Sequence, residues 1–268
     1  MHQPSRNHEH NRAAWDKLAR NQDRLTRPAR EQDFADPLGS VDGPGWLGGN
    51  IVGKRVLCLA AGGGRQGPIY AAAGAEVTVV DISPVMLERD RAIAAQRKLN
   101  LRIVESSMDD LSPLADATFE IVIHPVSTCY VPDVAQVYQE VARVLQPNGL
   151  YISQHKQPTS LQAGLERGPQ GYPLRYGYYR QTPLPPAPKP NLIREQGTHE
   201  YIHRWESLLG LMCRAGFVIE DLTEPLHAQP QADVNSFGHR SQFVAPYVRV
   251  KARRTAAPPP PRLVTDIS

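Results

Sequence analysis

The sequence predicts a doubly wound α/β fold around a mostly parallel sheet of seven strands. Three observations carry this. Between residues 55 and 156, short apolar runs alternate with helical patterns. A glycine-rich turn, Gly62 to Gly67, joins the first run to the first of those helices. An acid, Asp81, closes the second run.

Each element reads in order. From about Asn11 to Leu25, Trp15, Leu18 and Leu25 share one helical stripe and predict an amphipathic arm. A passage rich in glycine and proline, Leu38 to Gly49, follows it, so residues 1–50 read as arm and linker. RVLCLA (55–60) has the apolar character of a buried parallel strand, and EVTVVD (76–81) is the second strand. PVMLERDRAIAAQRK (84–98) is a helix with proline in its first turn and Ser83 as its cap. LRIVES, FEIVIHP and GLYISQH are three more strands. Before the last of them, Val134, Val137, Val141, Val144 and Leu145 predict a helix over 132–146. This core spans residues 51–156.

Residues 157–200 form a Pro/Tyr-rich insert, with GYPLRYGYYR at 171–180 and five prolines in QTPLPPAPKP at 181–190. HEYIHRWESLLGLMCRAG reads as a helix returning to a sixth strand, FVIEDL. FVAPYVRVKARR is a seventh, in which Pro246 favours an edge or a bulge. Residues 201–254 thus complete the core. The stretch 255–268, with PPPP at 258–261, reads as a disordered tail.

The chain has 268 residues, 41% hydrophobic and 21% charged, enough to fill one core with decorations. No apolar run reaches the roughly 18 residues of a membrane span, and the polar start lacks a signal-peptide stretch. Three isolated cysteines make neither a disulfide framework nor a zinc pattern. These features predict a cytoplasmic, reduced protein. Net charge is +3, and the basic surplus lies in residues 1–30, with seven Lys/Arg against three Asp/Glu. A solvated helix accounts for that surplus, which argues against a nucleic-acid partner.

Gly62, Gly64 and Gly67 satisfy the GxGxxG spacing, and Asp81 lies nineteen residues after Gly62. In such sheets ligands bind at the carboxyl ends of the strands. By spacing alone this is a dinucleotide fingerprint, with glycines for close approach and an acid for ribose hydroxyls. The same parts suit S-adenosylmethionine, and a glycine turn with no ligand is the bland alternative.

The rest of the chain bears on that choice. VLCLAAGGGRQGP, VTVVDISPVML, SSMDDLSPLADATFEIVIHPVSTCYVPDV and LQPNGLYI follow one another in order, preceded by NRAAWD. Over roughly Asn11 to Tyr151 the sequence resembles a class I S-adenosylmethionine-dependent methyltransferase, of a bacterial subgroup with three glycines in its first motif. The resemblance implies a Rossmann-like sheet whose last strand, in 243–254, inserts antiparallel beside the fifth. It also implies an arm folded over the cofactor. The cofactor pocket it implies comprises Ala60, Ala61, Gly62, Gly64 and Gln66 of the first motif, and Asp81, Ile82 and Met86 of the second. Ser107, Met108, His124 and Pro125 complete it. Ser107-Met108 departs from the family's usual aspartate for the adenine amino group, and Asn148 replaces the first glycine of the L-x-P-G-G turn. S-adenosylhomocysteine is the implied product.

Methyl transfer needs a base only when the nucleophile must lose a proton. His155 ends the fifth strand and is the first candidate, expected to face the substrate cleft. His124, ending the fourth strand, and His203 are the others, with a satisfied structural histidine the alternative for each. His199 and His203 are spaced as helical neighbours, but no third ligand is near and no metal site is expected. Tyr172, Tyr176, Tyr178 and Tyr179 are candidates for a substrate lid, or else for a pinned loop or a homodimer contact. Cys129 and Tyr130 are placed to line the pocket. The leading expectation is methyl transfer to O, N or S of a small molecule, with no membrane partner. An NAD(P)-dependent oxidoreductase, which predicts a sheet that stays parallel, and a non-catalytic cofactor-binding regulator are the alternatives.

Overall fold

The computed structural model describes residues 5–187 and 191–256. The end of the proline stretch, the 258–261 run and the rest of the expected tail lie outside the described residues.

Seven strands form one sheet in the order β3-β2-β1-β4-β5-β7-β6. They are β1 (Arg55–Leu59), β2 (Glu76–Asp81), β3 (Leu101–Glu105), β4 (Phe119–His124), β5 (Leu145–Lys156), β6 (Phe217–Thr223) and β7 (Tyr247–Arg254). Strands β1 to β5 pair in parallel, while β7 runs antiparallel to both β5 and β6. The sheet does not stay parallel, which is the difference expected between a methyltransferase and an oxidoreductase. The order reverses between β1 and β4, so the ligand crevice of such a sheet opens there.

Strand β1 is buried on both faces because helices cover both. Val56 and Cys58 pack with Val77, Val79 and Ile121 beneath Tyr70 and Leu87. Those two come from α3 (Gln66–Ala72) and α4 (Pro84–Arg97). Leu57 and Leu59 face the other way, onto Val134, Val137 and Val141 of α5 (Val134–Val144). Ser83 caps α4 by accepting from Met86 N at 3.1 Å, and Asp133 caps α5 by accepting from Ala135 N at 2.8 Å. Asn148 has φ 64°, the left-handed backbone of the turn within the long β5 segment.

Several boundaries differ from the expectation. The arm helix α1 is Arg6–Arg20, not 11–25, because Gln22 turns left-handed (φ 53°) and Leu25 follows in a 3-10 turn. Beyond it lies a short helix α2 (Pro37–Val41). The helix expected from His199 begins only at Trp205 and comprises a π-turn (Glu206–Gly210) and α7 (Leu211–Arg214). Residues 199–203 form no helix since their backbone is committed elsewhere. His199 N donates to the Asn11 side chain at 2.7 Å, and Tyr201 N donates to the Cys129 carbonyl at 2.7 Å. Pro246 precedes β7, which is an interior strand; the edge is β6, and the register shift lies in β6 between Ile219 and Asp221.

The insert begins with α6 (Pro158–Gln162) and packs on the β6–β7 connection, which holds α8 (Phe237–Arg240). Arg240 of α8 donates to the carbonyls of Ser160, Ala163 and Gly164. Buried ions tie the same insert to the sheet. Lys156 on β5 pairs with Glu195 and, at 2.6 Å, with Glu200, which also takes Arg194 at 2.6 Å.

Candidate functional site

The glycine turn is shaped by contacts that leave no room for a side chain. A Cβ at Gly62 would lie 2.9 Å from both Asp81 Cγ and Met86 Cβ, and one at Gly67 would lie 2.4 Å from Val79. Gly63 and Gly64 have φ 119° and 76°, backbone that only glycine adopts freely. Asp81 at the end of β2 receives Gly62 N at 2.9 Å and Ser83 N at 2.9 Å. Burial still pushes its carboxyl up to about 6. Below the turn, Asp90 of α4 receives Gly63 N at 2.8 Å. Burial raises it to about 7, and its Oδ1 has no hydrogen-bond partner among the described residues.

Over this turn lies a pocket at the carboxyl ends of β1, β2 and β4. Of the twelve residues expected to form a cofactor pocket, it brings together Ala60, Ala61, Gly62, Gln66, Asp81, Ile82, Met86, Ser107, Met108 and Pro125. Gly64 is behind the turn, where its carbonyl accepts from Ala29 N at 2.9 Å. His124 is outside the pocket and borders a neighbouring cavity.

The pocket's other wall is the arm. His8, Asn11, Trp15 and Leu25 line it, facing Tyr130 and Val131 from the segment after β4. Trp15 meets Tyr130 edge-on with ring centroids 5.6 Å apart. Asn7 and Asn11 donate to the Tyr130 carbonyl at 2.8 and 2.9 Å, and Arg89 holds the Ala19 and Thr26 carbonyls. At the β3 end, His8 pairs with Asp109 at 3.0 Å, and Ser107 donates to the same carboxylate. This pairing lowers Asp109 and raises the imidazole of His8. The sequence offered NRAAWD and Tyr130 as signals for this wall; nothing local signalled His8.

The candidate bases lie elsewhere. His155 was expected to face a cleft, but it is fully buried on the face shared with Tyr151 and Ser153. Its ring nitrogens bond Thr128 Oγ1 at 2.9 Å and Ser153 Oγ at 2.8 Å. His124 is buried between Tyr151 Oη at 2.7 Å and Ser127 Oγ at 2.6 Å. Burial pushes both imidazoles down to about 3. His203 Nε2 bonds the Thr128 and Val131 carbonyls, each at 3.0 Å, and its imidazole is also lowered by burial. None of the three lines the pocket. The spacing of His199 and His203 makes no shared site, since His199 instead stacks on His10 at 3.6 Å.

The four tyrosines do not cover the pocket either. Tyr172 is buried against Phe243 and bonds His239 at 2.8 Å. Tyr176 packs on the α5 side of the core, Tyr178 Oη accepts from Trp205 N at 3.3 Å, and Tyr179 is 75% exposed. Cys129 is buried beside the pocket without lining it.

Donor chemistry fits an adenosyl sulfonium. Apolar and aromatic side chains surround one carboxylate, Asp81, and no lysine or arginine among the described residues lines the pocket to meet a pyrophosphate. A seven-stranded sheet with an antiparallel β7, a glycine turn after β1 and an acid after β2 defines a class I methyltransferase of Rossmann-like fold. The chain belongs to the S-adenosylmethionine-dependent methyltransferases, and S-adenosylmethionine is its cofactor. Residues 57–153 match the model of a methyltransferase domain. The methyltransferase YbaJ of Bacillus subtilis is 38% identical over 177 residues, 65% of this chain and 69% of that protein. Rv1405c of Mycobacterium tuberculosis is 38% identical over 97 residues, and the chain spans only 35% of its length. The fold is that of an S-adenosylmethionine-dependent methyltransferase from Mesorhizobium loti (TM-score 0.63, 22% identity), covering 80% of this chain and 97% of that one. No helix among the described residues is long and apolar enough to cross a membrane.

Proposed function

We propose that this methyltransferase modifies O, N or S of a small-molecule acceptor in the cytoplasm, with its cofactor held in the pocket over the glycine turn. The observation that supports this reading is the Gly62–Asp81 contact, which presents a carboxylate beside backbone too crowded for any side chain. Asp81 would accept the ribose hydroxyls, Ile82 and Met86 would flank the nucleoside, and Ser107 with Met108 would meet the adenine. Bound S-adenosylmethionine supplies an electrophilic methyl carbon on a sulfonium centre. Trp15 and Tyr130 line the pocket with aromatic surface, and the arm excludes water. His124, His155 and His203 are hydrogen-bonded in the interior, so the catalytic power rests on positioning rather than on a histidine base. Titration calorimetry tests the reading: micromolar binding of S-adenosylhomocysteine and none of NAD is expected. Binding of NAD alone would overturn it.

A further inference from the structure

Three cavities follow one another along the carboxyl edge of the sheet. A broad groove near β3 meets the cofactor pocket at His8, Ile82 and Ser107. On the opposite side, Gln66 and Pro125 are shared with a third cavity of about 200 Å³. The linker after α2 walls this cavity with Trp46, α3 with Tyr70, and the ends of β5 and β7 with Gln154 and Arg249. Asp81 and Ser107 follow β2 and β3, so the nucleoside belongs toward the groove. The reacting end is left toward Gln66 and Pro125.

The charges in the third cavity are not equivalent. Arg65 is paired with Asp33 at 3.0 Å. Asp42 is occupied by the backbone, accepting from Trp46 N at 2.8 Å and Leu47 N at 2.9 Å. Arg249 differs. Its Nε donates to Gln154 Oε1 at 2.7 Å, and among the described residues no carboxylate pairs with it and its Nη atoms make no hydrogen bond. Gln154 therefore holds the guanidinium over β5 with its planar Nη edge unused. That edge matches a carboxylate in bidentate geometry. The cavity is close to the roughly 150 Å³ that accommodates benzene, so a single ring fills it between Trp46 and Tyr70.

We propose that this cavity is the acceptor site and takes a monocyclic acceptor whose carboxylate is clamped by Arg249. The proposal rests on the neighbouring pocket being the cofactor site. The carboxylate is the handle and not the methylated group, because Arg249 is on β7, two strands beyond β4, where the two cavities meet. Adjacent strands are about 4.8 Å apart, so a ring spans the distance from the guanidinium over β5 to that junction.

The test is calorimetric, on the full chain saturated with S-adenosylhomocysteine, using 4-hydroxybenzoate, 4-hydroxybenzamide and phenyl phosphate as probes. The benzoate should bind at least about tenfold more tightly than the amide, as expected for a charge-assisted pair. Arg249→Gln should erase that preference without changing affinity for S-adenosylhomocysteine, and Arg249→Lys should restore only part of it. Equal binding of benzoate and benzamide, no binding of either, or a benzoate preference that survives Arg249→Gln overturns the carboxylate clamp. Arg249-dependent binding of phenyl phosphate alone overturns it in favour of a phosphate. Failure of S-adenosylhomocysteine itself to bind the unaltered chain overturns the cofactor reading instead.

Discussion

The Ser83 hydroxyl donates to Asp16 Oδ1 at 2.6 Å while accepting from Met86 N at 3.1 Å. One side chain thus starts the helix that follows Asp81 and clasps the arm covering the pocket. Arm position and pocket shape are consequently coupled through a buried pair.

Asp16→Ala leaves the Ser83 cap intact and removes the clasp. Loss of one such hydrogen bond is worth about 0.5–1.5 kcal/mol. Affinity for S-adenosylhomocysteine should fall by about two- to tenfold, with faster hydrogen exchange confined to residues 6–20. Unchanged exchange there would show that Asn11 and Arg89 suffice to hold the arm.

Asp81 should make cofactor binding depend on pH. Its carboxyl is raised to about 6 by burial, so in the free protein its contribution to stability is lost as pH rises through that value. Ribose hydroxyls donate best to the ionised form. Calorimetry should show S-adenosylhomocysteine binding more tightly as pH goes from about 5 to about 7. Asp81→Ala should cost about 1–3 kcal/mol of affinity and flatten the dependence. A flat profile in the unaltered protein would mean that Asp81 does not receive the hydroxyls.

His155→Ala should act on stability and not on chemistry. It strands the Thr128 and Ser153 hydroxyls and leaves a cavity, costing about 2–4 kcal/mol in denaturant unfolding. Folded His124 and His155 stay neutral until about pH 3. Unfolded imidazoles take up protons near 6.5, so these two groups make stability fall as pH drops between those values. The variant should lose one group's share of that slope. Turnover per folded molecule, once an acceptor is in hand, should change less than about tenfold; a loss of roughly 10²–10⁴ would restore His155 as the base.

Lys156→Met leaves Glu195 and Glu200 buried without their shared cation. The Lys156 side chain is 1% exposed, so the cost should be about 3–5 kcal/mol. Limited proteolysis should then cut within residues 191–204 first. A variant as stable as the parent would show that Arg194 alone neutralises both acids.

The sheet, the glycine turn and Asp81 were legible because each is a local requirement: a short continuous apolar run buried on both faces, a left-handed φ at Gly64, an acid ending a run. The antiparallel β7 came from the resemblance and from the hairpin it implied. The pocket's second wall was legible only as an arm around NRAAWD and as Tyr130, not in its pairings or in His8. Asn11 and Tyr130 meet across 119 positions, and Asn11 and His199 across 188. No window of sequence holds such pairs. The burial of the histidines was hidden for a related reason. His124 is the last residue of β4 and His155 the last but one of β5, yet Tyr151, Ser127, Thr128 and Ser153 hold their rings in the interior. His199 and His203 carry helical spacing, yet hydrogen bonds to α1 and to the Cys129 loop take the backbone amides a helix would use.

The placement of β7 also governs how the chain is made. In order of synthesis β6 emerges before β7, yet among the described residues its only neighbour in the sheet is β7. Until residues 247–254 leave the ribosome, β6 has no register to adopt, and the outer side of β5 is an open row of amides and carbonyls. The pocket over the glycine turn is lined by residues no later than Val131, whereas the cavity beside it closes only when Arg249 arrives. Stalled or truncated chains that end before Tyr247 would therefore carry a finished pocket over the glycine turn beside an adhesive edge, a form prone to pair with other nascent chains.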